Sequence, residues 1–242
     1  LPTWTTNSAI GNGAYDFNGE DQYININNSV FGSLNYLTIS LWVYITGNAN
    51  NSWERYIDIQ DGSGNNSVTI FWDDDDSQYG FRTPDGSTIY VTNNPPQNEW
   101  LHFIGILNNG EGKFYENTNL KGTISYNGTL SNNNVIRIGG RYDTENDYAK
   151  AIIDDVRIYA KALSEDDINE LYQQRTSIDN KGSIYERELE TPREKLLINE
   201  QTKNISDNQY NSTGTWNVVE TDVSSFEESD DTLGNFVIEG WI

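Results

Sequence analysis

Apolar and polar positions alternate through the first two thirds of the chain, and the alternation predicts short β-strands. The longest run is 36–46, YLTISLWVYIT. There Leu37, Ile39, Leu41, Val43 and Ile45 alternate with Thr38, Ser40, Trp42 and Tyr44. A period of two gives such a strand one apolar and one mixed face. Residues 151–159, AIIDDVRIY, alternate similarly. Their β-branched Ile152, Val156 and Ile158 suit a pleat, and the run reads as a buried strand at a sheet edge.

Other strands fill the interval. Residues 14–26, AYDFNGEDQYINI, form two short strands around a turn, with Phe17, Tyr23, Ile24 and Ile26 apolar. ERYIDIQ, SVTIFW, YGFRT and STIYVTN follow, separated by DGSGNN, DDDDSQ and PDG, which carry turn chemistry. A hairpin over 100–125 and the strand NVIRIGGR complete the set. The period changes once, at SEDDINELY. Ser164 and Asp167 stand three apart as a capping box, and Ile168, Leu171 and Tyr172 share one helical face.

From residue 174 the character shifts. TSIDNKGS reads as a linker, and IYERELE, EKLLINEQ, TWNVVETDV and NFVIEGWI are four candidate strands, with Pro192 breaking any helix there. This predicts a domain over 1–175 and a small β-rich unit over 176–242. That unit is either an ordinary second β-domain or a set of strands donated to a neighbouring copy.

Several phrases of the chain resemble one family. FNGEDQYI resembles the opening strand pair of laminin-G-like domains of the concanavalin-A-like lectin/glucanase superfamily. TISLWV resembles their third strand, and WLHF with the hairpin NGEGKFYEN resembles a later one, although Asn117-Thr118 stands where Asn-Gly is usual. VIRIGG and the ending IDDVRIY followed by the capped helix complete the match, over about residues 8–173. The resemblance implies an all-β, antiparallel jelly-roll sandwich with one short helix, and the strand spacing agrees.

Composition narrows the function. Thirty-seven Asp and Glu against fifteen Lys and Arg give a net charge of −22. Nucleic acid and anionic membrane are poor partners for such a surface, whereas hard cations are good ones. The plainer reading is that the charge keeps the protein soluble. The absence of cysteine excludes disulfides, zinc–thiolate sites and thiol catalysis. No stretch approaches the ~20 apolar residues of a membrane helix. The chain has no Met, so it is expected to begin after processing or to be a cut fragment. Sequons at Asn27, Asn50, Asn65, Asn127, Asn204 and Asn211 fit a glycosylated secreted or cell-surface protein.

Candidate chemistry is sparse. The resemblance implies a calcium ion where the first strands meet the last, and the matching positions are Asp16, Gly19, Asp21 and Asp154, with Asn18 and Glu20 nearby. The alternative is that Asp154 and Asp155 simply face water. A saccharide site needs an aromatic platform beside planar amides or acids. Trp53, Trp72, Tyr79, Arg82, Tyr142 and Asp143 are the candidates, each also readable as a rim residue over the core. Trp42 and Trp100 read as core. Glucanases of the superfamily carry paired acids along one strand, which this chain lacks, and its only histidine, His102, reads as structural. The reading is a non-catalytic module that binds carbohydrate or glycoprotein, in adhesion. The alternative is a surface-filament subunit that polymerises through 176–242.

Overall fold

The computed structural model describes residues 1–27, 34–49, 53–60, 67–130, 135–142 and 146–181. The strands are β1 (Thr3–Thr5), β2 (Ala14–Asp16), β3 (Ile24–Asn27), β4 (Tyr36–Ile45), β5 (Trp53–Gln60), β6 (Ser67–Asp73), β7 (Gln78–Arg82), β8 (Thr88–Thr92), β9 (Trp100–Asn108), β10 (Glu111–Glu116), β11 (Asn119–Ser125), β12 (Val135–Ile138) and β13 (Ala151–Tyr159). A helix, α1 (Glu165–Lys181), follows. They build a seven-stranded sheet, β1-β2-β13-β4-β9-β10-β11, and a six-stranded sheet, β3-β12-β5-β6-β7-β8. The pairings are antiparallel, and the two apolar faces meet in a two-layer sandwich.

The alternation seen in the sequence is the alternation of faces. Leu37, Ile39, Leu41, Val43 and Ile45 of β4 point into the core, where they meet Val68, Ile70 and Trp72 of β6 and Tyr79 and Phe81 of β7. The mixed face of β4 is buried as well. Trp42 joins Ala9, Ile10, Trp100 and Ile152 in a second cluster, against which Tyr44 and Tyr172 pack. Ile168 of α1 packs with Ile104, Ile106 and Tyr115. The N-terminal segment and α1 therefore cover the outer face of the seven-stranded sheet, and among the described residues no helix packs on the outer face of the six-stranded sheet.

Three expectations change. β13 is not an edge strand, because β2 pairs on one side of it and β4 on the other. Residues 176–181 are helical backbone and not linker, since Gly182 is the first helix breaker after the capped start. Trp42 and Trp100 are buried, but beneath the N-terminal segment and α1, outside the inter-sheet core. The capping box is present: the Asp167 N–H donates to Ser164 Oγ at 3.2 Å and the Ser164 N–H to Asp167 Oδ2 at 2.8 Å. The expected boundary at 175/176 falls within α1, and 182–242 lie outside the described residues.

Candidate functional site

The outer face of the six-stranded sheet carries two adjacent rows that cross its strands. Strand register sets the first as Asn25, Arg137, Asp58, Thr69, Arg82 and Thr88, one residue from each strand in sheet order. Its centre is a buried polar network. Asp58 is fully buried, and its Oδ1 accepts from Thr69 Oγ1 at 2.6 Å and from Arg55 Nη1 at 3.3 Å. Its Oδ2 accepts from Gln60 Nε2 at 2.7 Å and from the Tyr142 N–H at 3.3 Å. Arg55 also reaches Asp147 at 3.1 Å. Arg137 lies over the Tyr23 ring at 3.8 Å and the Tyr142 ring at 5.3 Å, and its Nε donates to Asn25 at 2.8 Å.

The second row is aromatic. Phe71 of β6, Gly80 of β7 and Tyr90 of β8 lie side by side. A side chain on Gly80 would collide with the Ile89 carbonyl, 1.8 Å from where a Cβ would sit, so that backbone approach requires glycine. With no side chain between them, Phe71 and Tyr90 meet edge to face at 5.8 Å, and Trp53 stacks on Phe71 at 4.8 Å. Phe71 is buried, Trp53 is half-buried and Tyr90 is 46% exposed, so the row ends in an open ring.

The segment after β12 covers part of this face, laying Tyr142 over Asp58 and Asp147 beside Arg55. On the inward side of β5, opposite Trp72, Glu54 is fully buried, and its carboxylate accepts from the Ala49 N–H at 2.8 Å and the Lys150 N–H at 2.8 Å. One side chain thus ties the β4–β5 connection to the approach of β13. Burial pushes its pKa up to about 7 against the pull of those two hydrogen bonds, with the Asp74 charge adding to the rise.

The sequence profile described as the concanavalin A-like lectin/glucanases superfamily matches residues 18–169, more than half of the chain. The chain belongs to this superfamily, among its laminin-G-like domains. Solved structures agree on the fold. Domain 4 of AbnA, an extracellular arabinanase from Geobacillus stearothermophilus solved with arabinotriose, superposes with a TM-score of 0.58 at 19% identity, over 72% of this chain and 82% of that one. The SAP-like pentraxin of Limulus polyphemus gives 0.53 at 14% identity, over 65% and 80%. The botulinum neurotoxin serotype G binding domain gives 0.58 at 16%, over 73% of this chain and 45% of that one, so the chain spans under half of that protein's length. A search of curated protein sequences finds no match.

Within this laminin-G-like frame the expected saccharide residues separate. Trp53, Arg82 and Tyr142 lie on or over the outer face of the six-stranded sheet. Trp72 and Tyr79 do not: both are buried in the core, Trp72 donating to Asn94 Oδ1 at 3.1 Å and Tyr79 hydrogen-bonding to Glu116. They follow Val68, Ile70 and Phe81 in the inward alternation, which is why no sugar can reach them. Asp143 lies outside the described residues. Phe71, Tyr90, Arg55 and Asp58 were not anticipated. The signal for Phe71 and Tyr90 was their place between inward residues, Ile70 and Trp72 in one case and Ile89 and Val91 in the other.

Of the residues expected to hold calcium, Asp154 spends both carboxylate oxygens on backbone amides. Asp154 Oδ2 accepts from the Ala9 N–H at 2.8 Å and the Ile10 N–H at 2.9 Å, and Oδ1 accepts from the Asp155 N–H at 2.8 Å. Those amides point their positive ends where a cation would sit. Asp154 thereby anchors the N-terminal segment over the seven-stranded sheet. Its pKa is nevertheless pushed up to about 6, chiefly by burial. Asp155 takes a left-handed conformation (φ 46°) at the irregularity in β13 and accepts from Arg157 Nε at 2.9 Å. Asp16 stands opposite Ile152 in β2, Asp21 is exposed and accepts from Asn18 Nδ2, and Gly19 packs against Lys150 and Ala49. No three His, Asp or Glu side chains converge to hold a metal among the described residues.

His102 is sealed inside the outer cluster. It stacks on Trp42 at 4.6 Å, and its Nε2 pairs with Ser40 Oγ at 2.7 Å. Burial, with the Arg157 charge behind it, pushes its pKa down to about 3, and Nδ1 has no partner. A serine nucleophile needs a carboxylate on that second nitrogen and access to substrate, and this pair has neither. Of the sequons, Asn127 is exposed, Asn27 lies on β3, and Asn50, Asn65, Asn204 and Asn211 lie outside the described residues. No helix among the described residues is long and apolar enough to cross a membrane.

Proposed function

We propose that this domain is a non-catalytic carbohydrate-binding module and that its binding face is the outer face of the six-stranded sheet. One observation carries the reading: an aromatic row ending in the exposed Tyr90 runs beside the half-exposed Arg82 and Thr88 of the polar row. A sugar stacks its C–H face on such rings while its hydroxyls meet neighbouring polar groups. The saccharide-bound arabinanase domain of the same fold supports it. Catalysis has no carrier on this face, because Asp58 is fully buried with both oxygens taken and cannot reach a glycosidic oxygen. Within this reading the module serves adhesion by a secreted or surface protein, and its partner is a glycan, free or on a glycoprotein. Assembly into filaments rested on 176–242, of which 182–242 lie outside the described residues, and no observation on the described face favours it.

Screening the full chain on a glycan array and then titrating the hits tests the reading. Replacing Tyr90 by alanine is expected to weaken the best hit about tenfold. Equal binding by the variant would remove the aromatic row from the site. The same sample tests the metal expectation. With the Asp154 oxygens held by amides, a thermal melt in chelator is expected to coincide with one in calcium. A lower melting temperature in chelator would show a cation bound at oxygens other than these.

A further inference from the structure

Resting on that reading, we propose that the bound glycan is acidic and that Arg82 receives its carboxylate. The cations of the six-stranded face are otherwise committed. Arg55 is held by Asp58 and Asp147, Arg141 approaches Asp147 at 3.8 Å, and Arg137 is sandwiched between two tyrosines and tied to Asn25. Arg82 differs. It makes no ion pair or hydrogen bond among the described residues, its Nε is buried without an acceptor, and the residue stays half-exposed. Its registered neighbours are Thr69 and Thr88, and the nearest acid in its row, Asp58, lies beyond Thr69 with both oxygens occupied.

Its place gives the partner's chemistry. Arg82 stands two residues along β7 from Gly80, about 7 Å from the aromatic row. The guanidinium itself lies against Gly86 in the turn after β7, so a glycan stacked at Tyr90 that extends past Thr88 brings a carboxylate to its planar fork. Charge orients it in the same sense. The acids Asp73 to Asp76 cap the other end of β6 and β7, beyond the aromatic row, and would repel a carboxylate laid the wrong way round.

The test is calorimetric titration of the full chain with two matched pairs: trigalacturonate against its methyl ester, and sialyllactose against lactose. The acidic member of at least one pair is expected to bind about tenfold tighter than its neutral twin, with the preference shrinking as salt rises. Arg82→Gln should bring the two members of that pair to parity, and Arg82→Lys should keep part of the preference, with melting curves confirming that both variants fold. A preference that survives Arg82→Gln overturns the assignment. Equal binding of acidic and neutral members, weakened alike by Tyr90→Ala, overturns the acidic glycan and leaves the binding face standing. No binding of any glycan on the array overturns both.

Discussion

Replacing Asp58 by alanine is expected to cost about 3 kcal/mol or more of folding stability. The side chain is fully buried and is the common acceptor for Thr69, Arg55, Gln60 and the Tyr142 amide. Its removal strands these donors together and leaves the buried Arg55 with only Asp147 for its charge. Breaking one partner out of a buried charged network costs more than the network contributed, because the remaining charge has lost water and gained nothing. Asp58→Asn should cost less, about 1–3 kcal/mol, since it keeps the shape and one acceptor oxygen. Urea-denaturation midpoints of the three proteins check the order. A midpoint for Asp58→Ala equal to that of the parent would mean the network contributes nothing net.

The second large effect is with pH. The folded protein holds the Glu54 proton more tightly than the unfolded chain does, at about 7 against an ordinary 4.5. A carboxyl raised in this way leaves the fold most stable below about 4.5, and stability falls as the pH climbs to 7. The gap corresponds to about 3 kcal/mol. Asp154, raised from 3.8 to about 6, adds a loss in the same direction over a lower window. Around Glu54 the facing groups are Asp74, whose charge adds to the rise, Lys150, whose charge opposes it, and the buried Tyr56 hydroxyl. Self-repulsion at a net charge of −22 also grows as carboxyls ionise, so a falling curve alone would not single out Glu54. The deciding comparison is Glu54→Gln, whose stability should change much less between pH 4.5 and 7. If its curve parallels the parent's, Glu54 is not the source.

Much of the fold was legible in the chain because β-structure writes its faces at a period of two. Leu37 to Ile45 on β4, Val68 to Trp72 on β6, and Tyr79 with Phe81 on β7 all point inward as their alternation requires. The capping box at Ser164 was legible because it is local, its two partners lying three residues apart. The site was less so. Trp72 and Tyr79 drew attention as aromatics beside turn-rich loops, although their own strand parity placed them in the core. Tyr90 and Phe71 drew none, although the same parity placed them outside.

By itself the sequence determined the all-β class, the apolar face of each strand, the helix start, and the lack of any cysteine. These follow from neighbours along the chain, where spacing alone dictates geometry. Only the tertiary structure decided which outer face the first and last described segments cover. The N-terminal segment, pinned by Asp154, and α1, packed through Ile168 and Tyr172, cover the seven-stranded sheet. It also decided that Asp154 would bind amides and that Arg82 would face Thr69 and Thr88 with no acid of its own. Those outcomes depend on register between strands far apart in sequence, which no local pattern encodes.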